Sequence, residues 1–330
     1  MIRRPGSASN SGTLVSVKVS LCHFLHRLLL LIGLVSAGGV LAHPVSAAEK
    51  QDSAMPKVLR VGFSSDIFTD VDTRDAQVAM ELWSRELARG AGINQASVTI
   101  LHTSEELAVS VRKGSLDIIT MPALQFVKLR DTLSLVPAFV ASNHVGRSRE
   151  QLLIVSRASG LRKFADLRGK TIDLLPEKRY EPAYIWLEVL LKREPKERTV
   201  NYFYRIDKAP SASQAIMRVF FGKVDAAIVP RGSFETAKTL NPQLGRQLLV
   251  IAESESIIGD ISCIPASISI KLRHAMENAA AHLHENAMGR QMTALFQIDR
   301  VIPYQASYLD GLVSLLEEQA NLKTKPAKRK

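Results

Sequence analysis

The sequence predicts an α/β protein built as two lobes, each a mainly parallel sheet flanked by helices, with a ligand cleft between them. Three observations carry that expectation. Short apolar runs alternate with amphipathic helical stretches, the order that a parallel sheet with crossover helices requires. One stretch is written twice: "HTSEELAVSVRKGSLDIITMP" (residues 102–122) and "PSASQAIMRVFFGKVDAAIVP" (residues 210–230) align without a gap at a constant offset of 108. The chain of 330 residues is long enough for roughly two domains.

The elements follow in order. "KVLRVGFS" (57–64) is a short apolar run ending in small polar residues, as a buried strand does. "DTRDAQVAMELWSRELARG" places Ala76, Met80, Trp83 and Leu87 at helical spacing, with Gly90 as the expected glycine past its end. "SVTIL" (97–101) reads as the second strand. The doubled unit begins with Thr103 as N-cap and Glu106 three residues on, a capping box. Gly114 stops that helix and "LDIITM" is the third strand. In the second series "QLLIVS", "KTIDLL", "TVNYFYR" and "DAAIVP" read as strands. "DLRGK" between them reads as a turn, and "EPAYIWLEVLLKRE" as a helix with Pro182 in its first turn. "RQLLVIAES" and "DISCI" then leave this region for a mostly helical remainder.

The doubled unit has a physical meaning in such a sheet. Ligands sit outside the carboxyl ends of parallel strands, over helix N-termini. Thr103 and Ser211 are N-caps at such ends, and Pro122 and Pro230 end strands there. Two facing lobes of this kind enclose a cleft walled by N–H groups and hydroxyls, which suits an anion. Asp117 and Asp225 recur at the same offset and are expected to bond nearby amides rather than a ligand.

Charge location excludes a simple nucleic-acid reading. The net charge is +11, but residues 1–47 carry +4 without an acid and residues 323–330 carry +5, leaving +2 for the body. The first end reads as a secretory signal: basic residues through Arg27 precede the apolar "LLLLIGLVSAGGVLA", with small residues at Val45, Ala47 and Ala48. Cleavage is expected near Ala47 or Ala48, with an uncleaved anchor as the alternative. The basic tail, 323–330, holds Pro326 and is expected to be disordered. Past the signal only Cys263 remains, read as a buried apolar side chain rather than a reactive thiol. No zinc-protease HExxH motif, paired cysteines, nucleophile elbow or phosphate-binding loop occurs, so neither an enzyme, a metal nor a cofactor is expected.

Taken together and in order, "LRVGFS", "DLRGKTIDLL", "VFFGKVDAAIVPRGSFET", "LNPQLGRQL" and "GRQMTALFQ" resemble the phosphate/phosphite/phosphonate-binding periplasmic solute receptors that serve ABC importers. The resemblance covers roughly residues 57–310. It implies the two-lobed periplasmic-binding-protein fold, in which the chain crosses over, returns and closes on its ligand. Lobe one would be 57–142 plus 258–322, and lobe two 143–257. By position it implies Ser64, Ser65, Thr103 and Thr120 as oxyanion contacts, beside Ser211 from the doubled unit. Where this family presents a short Ser/Thr/Gly stretch, the chain reads "PEKRYEP" (176–182), which brings forward Lys178 and Arg179 as ligand contacts or solvated cations, and Tyr180 as a cleft wall or surface aromatic. Arg231, directly after a strand, is the preferred cleft cation, because a guanidinium grips an oxyanion in two places, with an ion pair to a neighbouring helix as the competing reading. The expected partners are a small-molecule oxyanion and the membrane permease of an ABC importer, with no nucleic acid and a monomeric state. The alternative is an extracytoplasmic sensor subunit for a membrane kinase.

Overall fold

The computed structural model describes residues 55–68, 73–142, 150–195, 201–296 and 298–324; the side chains of Lys178 and Arg179 lie outside this set. The expected signal segment and nearly all of the basic tail lie outside it too. Everything described below belongs to one compact unit.

The chain opens with β1 (Val58–Ser64), a 3-10 turn (Ser65–Ile67) and α1 (Thr73–Gly90). It continues through β2 (Gln95–Leu101), α2 (Ser104–Arg112), β3 (Ile118–Pro122), α3 (Ala123–Leu129) and β4 (Leu135–Ser142). After crossing over it forms β5 (Gln151–Ser156), β6 (Thr171–Leu174), α4 (Glu177–Arg193), β7 (Arg205–Lys208) and α5 (Ala212–Phe220). β8 (Ala226–Pro230), α6 (Arg231–Leu240), α7 (Pro242–Gln247) and β9 (Leu248–Glu253) complete the second lobe. The chain returns through β10 (Asp260–Pro265), α8 (Ile270–Ala281), α9 (Ala287–Leu295), β11 (Arg300–Pro303) and α10 (Asp310–Thr324).

Two sheets result, with strand orders β11-β4-β10-β3-β1-β2 and β7-β6-β8-β5-β9. The βαβ units supply the parallel pairs, β1 with β2 and β3, and β6 with β7 and β8. The strands next to the crossovers add antiparallel pairs: β10 with β3 and β4, and β5 with β8 and β9. Each sheet is therefore mixed. A strand that arrives from the other lobe needs no crossover helix, and so can enter in the opposite sense.

One core cluster lies between the first sheet and α1 and α8, around Leu59, Val61, Phe63 and Met276. Another fills the second sheet against α5, α6 and α7, around Ile154, Val219 and Phe234. The largest runs through both lobes: Ile119 and Met121 of β3, Ile172 of β6, Trp186 of α4 and Leu312 of α10 share it.

Local details refine the sequence reading. Gly90 is helical, and a Cβ there would lie 2.9 Å from that of Ala279, so its absence lets α1 and α8 approach. The turn after α1 falls to Gly92 at φ +75°. "TVNYFYR" was expected as a strand, yet pairing begins only at Arg205. Tyr202 instead stacks on Phe164 at 5.1 Å and donates from its hydroxyl to the Phe164 carbonyl at 2.9 Å. Aromatic β-propensity here serves a buried loop cluster rather than a ladder. α4 begins at Glu177, four residues ahead of the expected start, and takes in Pro182 by a kink at Tyr180 (φ −106°, ψ 24°). Proline removes a helical hydrogen bond, so the first turn is locally unwound.

Candidate functional site

The doubled unit is physically doubled. Thr103 accepts from Glu106 N at 3.1 Å and Ser211 from Gln214 N at 3.3 Å. Gly114 and Gly222 both sit at positive φ, +61° and +65°, as the end of a helix turning into a strand demands. Asp117 accepts from Arg60 N at 2.8 Å, and Asp225 from Thr171 N at 2.8 Å, each pinning the neighbouring parallel strand. The match continues past the repeat: Phe126 and Phe234 are both buried, at the same offset.

These units meet the crossovers in the same way. Pro122 pairs with Asp260 where the chain returns, and Pro230 with Gln151 where it leaves. The first helical amide of α3, Ala123 N, donates to Gly259 O at 2.8 Å; that of α6, Arg231 N, donates to Glu150 O at 2.8 Å. The carboxyl ends of the inner strands of both sheets are thereby brought to the crossovers.

A cavity of about 140 Å³ opens at that meeting point. The first lobe lines it with Asp66 after β1, Ser104 at the start of α2, and Gln125 and Lys128 of α3. The second lines it with Tyr180, Glu181 and Pro182 of α4, and with Pro230 and Gln151. The returning crossover, Ile257 to Asp260, forms its back. Pro176 and Pro230 precede α4 and α6 without any side-chain cap, so the first-turn N–H groups of these helices take no proton acceptor from a capping side chain. Opposing that donor field are three lining carboxylates, Asp66, Glu181 and Asp260. Lys128 is the one lining cation among the described residues, and its Nζ donates across the cleft to Glu181 Oε1 at 2.6 Å. Gln125 Oε1 on the wall and Ser65 Oγ next to it are buried without a protein partner.

Tyr180, of the nine residues singled out from sequence, lines the cavity itself. Ser64 and Ser65 stand directly before the lining Asp66, and Ser64 Oγ accepts from Asp66 N at 3.4 Å. Thr103 and Ser211 use their hydroxyls as helix caps. Thr120 shares a 2.8 Å hydroxyl contact with Ser262 in the middle of the first sheet. The side chains of Lys178 and Arg179 lie outside the described residues. Arg231 has its guanidinium on Glu253, with Glu150 at 3.6 Å. The bond to Glu253 raises its pKa further, so the charge is fixed and shared between two carboxylates. Cys263 is fully buried and desolvation pushes its thiol pKa far up, which makes it inert. No group of three or more His, Cys, Asp and Glu among the described residues could hold a metal.

Sequence reasoning did not reach Asp66, Gln125, Lys128 or Asp260. Their signal was the strand-ending Pro122: once it is placed at the cleft, the helix after it and the strand paired with it are cleft walls by necessity.

A two-lobed mixed α/β fold with a polar interlobe cavity is the architecture of periplasmic solute-binding proteins. The chain belongs to one family of them, the phosphonate periplasmic substrate-binding proteins of ABC transporters, whose sequence pattern matches residues 67–309. No curated protein matches the chain in sequence. Among solved structures, a Xanthomonas citri protein bound to chloride ion aligns at TM-score 0.58 and 12% identity, covering 81% of this chain and 99% of its own. PhnD1 from Prochlorococcus marinus, in complex with methylphosphonate, aligns at 0.56 and 14%, covering 81% and 99%. A binding protein component of an ABC phosphonate transporter from Pseudomonas aeruginosa aligns at 0.57 and 16%, covering 83% and 90%. At these identities the likeness establishes the fold. The family role is that of a periplasmic substrate-binding protein which delivers a phosphonate to an ABC permease. Among the described residues no helix is long and apolar enough to cross a membrane.

Proposed function

We propose that this chain captures a small phosphonate-type oxyanion by closing its two lobes, then presents the closed form to the permease of an ABC importer. The observation that carries the reading is the interlobe cavity, with the N-termini of α4 and α6, which carry no side-chain cap, at its second-lobe side. Fixed backbone dipoles there replace water around an oxyanion. Closure then follows from a ligand that touches both walls and so binds the closed form better than the open one.

The lining carboxylates refine the ligand. A bare anion would face Asp66, Glu181 and Asp260 with one lysine already bonded to Glu181. A phosphonate that also carries an amine satisfies both sets of charges. Tyr180 supplies an aromatic wall, and Ser65 Oγ is a hydroxyl within one residue of the lining Asp66. Lys178 and Arg179 enter the reading as cations at the start of α4. Export by the amino-terminal signal, removal of that signal near Ala48 and a monomeric state complete the proposal.

A thermal-shift panel on the chain from Ala48 tests it, with phosphate, phosphite, methylphosphonate, 2-aminoethylphosphonate, sulfonates and amino acids. A ligand at about 100 times its Kd adds about 2.7 kcal/mol of stability, a rise of roughly 5 °C or more. The expected order places 2-aminoethylphosphonate above methylphosphonate. A panel in which no phosphorus oxyanion shifts the melting point, but an amino acid or sulfonate does, removes the phosphonate reading.

A further inference from the structure

The two lobes are joined by more than their two crossovers. β11 is hydrogen-bonded to β4 in the first sheet, yet the helix that follows leaves that sheet for the second lobe. Arg193 of α4 holds Glu318 of α10 in two places, Nε to Oε1 and Nη2 to Oε2, both at 2.8 Å. One residue on, Gln319 Nε2 donates to Glu188 Oε2 of α4 at 2.7 Å. Leu312 and Leu315 bury their side chains in the core cluster that holds Trp186 and Leu190 of α4.

The start of α10 lies on the returning crossover itself. A Cβ on Gly311 would sit 2.0 Å from the Ser256 carbonyl oxygen, so the helix backbone is in contact with the crossover backbone. Two residues before Ser256, where the β5–β9 ladder ends, the chain leaving lobe two is bonded to the chain that enters it. Ser254 N donates to Gln151 O at 3.0 Å, and Gln151 N donates to Ser254 Oγ at 2.9 Å.

We infer that α10 is a clasp: it moves with lobe two, bears on the crossover at Ser256, and limits how far the cleft opens. The free joint of the carboxyl-terminal arm is then the segment between β11 and α10, where Tyr304 N is held by Ala138 O at 3.0 Å in the first sheet. Lobe separation must either bend that joint or peel α10 from α4. Charge contacts on one face and apolar contacts on the other oppose peeling. The lobe-closure reading gives the clasp its purpose, but its mechanical action is measurable without any solute.

Hydrogen exchange on the chain from Ala48, read at the amides of Gln151 and Ser254, is the test. Arg193→Glu places two carboxylates together and is expected to speed exchange at both amides about 10-fold, with β1 to β3 unchanged. Arg193→Glu with Glu318→Arg restores an ion pair of reversed sense and should return both amides to within about 3-fold of the parent. Gly311→Ala drives α10 off Ser256 and should act in the same direction as Arg193→Glu. Exchange that rises in α10 while Gln151 and Ser254 stay protected would make α10 a packing helix and end the inference. An equal rise across the whole unit, or no rescue by the swapped pair, would end it as well. Failure of every phosphorus oxyanion in the thermal-shift panel would leave these exchange results standing.

Discussion

Asp117 is the sharpest place to separate a folding role from a ligand role. Its side chain is 3% exposed, and it accepts from Arg60 N at 2.8 Å, Nε at 3.1 Å and Nη2 at 2.6 Å. Asp117→Ala leaves the Arg60 amide without its acceptor, which costs about 1–3 kcal/mol in a partly buried setting. The guanidinium pair adds about 1 kcal/mol, discounted because Arg60 is 42% exposed. Roughly 3 kcal/mol in total corresponds to a fall in Tm of about 6–9 °C for a body of this size. Asp225 makes the matching bonds to Thr171 N and Oγ1, both at 2.8 Å, without a cation. Asp225→Ala should therefore cost less, about 2 kcal/mol. Both carboxylates lie at the amino ends of their strands, away from the cavity, so affinity for any solute found should stay within about 2-fold. Calorimetry with parallel titration checks this. An Asp117→Ala chain that melts like its parent but binds an order of magnitude more weakly would refute the assignment.

Three further outcomes follow from the same geometry. Arg231→Ala should lower stability by about 1 kcal/mol, since it takes the guanidinium away from Glu253, and leave solute affinity nearly unchanged; urea unfolding with titration distinguishes this from a binding role. Glu181→Gln removes one lining carboxylate and frees Lys128, so a plain anion such as methylphosphonate should bind about 3–10-fold tighter and 2-aminoethylphosphonate more weakly, by calorimetry. Asp173 is fully buried and desolvation raises its pKa, against the pull of Arg218 and with Asp207 adding to the rise. Burial outweighs the Arg218 contact at 3.1 Å, so between the ordinary value and the raised one the folded form keeps a proton that the unfolded form has lost. Stability from this group is full below the ordinary value of 3.8 and declines as pH rises through the raised folded value. Asp173→Asn should gain stability relative to the parent from acid to neutral pH, as urea midpoints at both would show.

What was legible in the sequence was whatever local chemistry dictates. The Thr103 and Ser211 caps, the Gly114 and Gly222 stops and the amide-bonding aspartates are each fixed within a few residues or by one neighbouring strand. β4 and β11 were missed, because "LVPAFVAS" carries a proline in mid-strand and "RVIP" is too short for a periodic signal. Pro137 is tolerated where β4 meets β10 at a register shift. The cavity was less legible than the fold. Asp66, Lys128 and Asp260 come from three separate elements, and the pairing of β3 with β1 on one side and with β10 on the other gathers them. Lys128 and Glu181, 53 residues apart, meet only across the cleft.

The doubled unit also bears on how a bound solute is oriented. Superposed by the offset of 108, the two halves present the same proline, the same buried phenylalanine and the same contact with a crossover. The repeat by itself would make the two sides of the cleft alike, and like sides cannot tell head from tail. Polarity must come from the positions that break the match: Ala123 against Arg231, Gln125 against Ser233 and Lys128 against Thr236. Gln125 and Lys128 are both on the cavity wall, while their counterparts are not. On the proposed reading, a two-ended solute would take its sense in this cleft from the mismatches of the repeat.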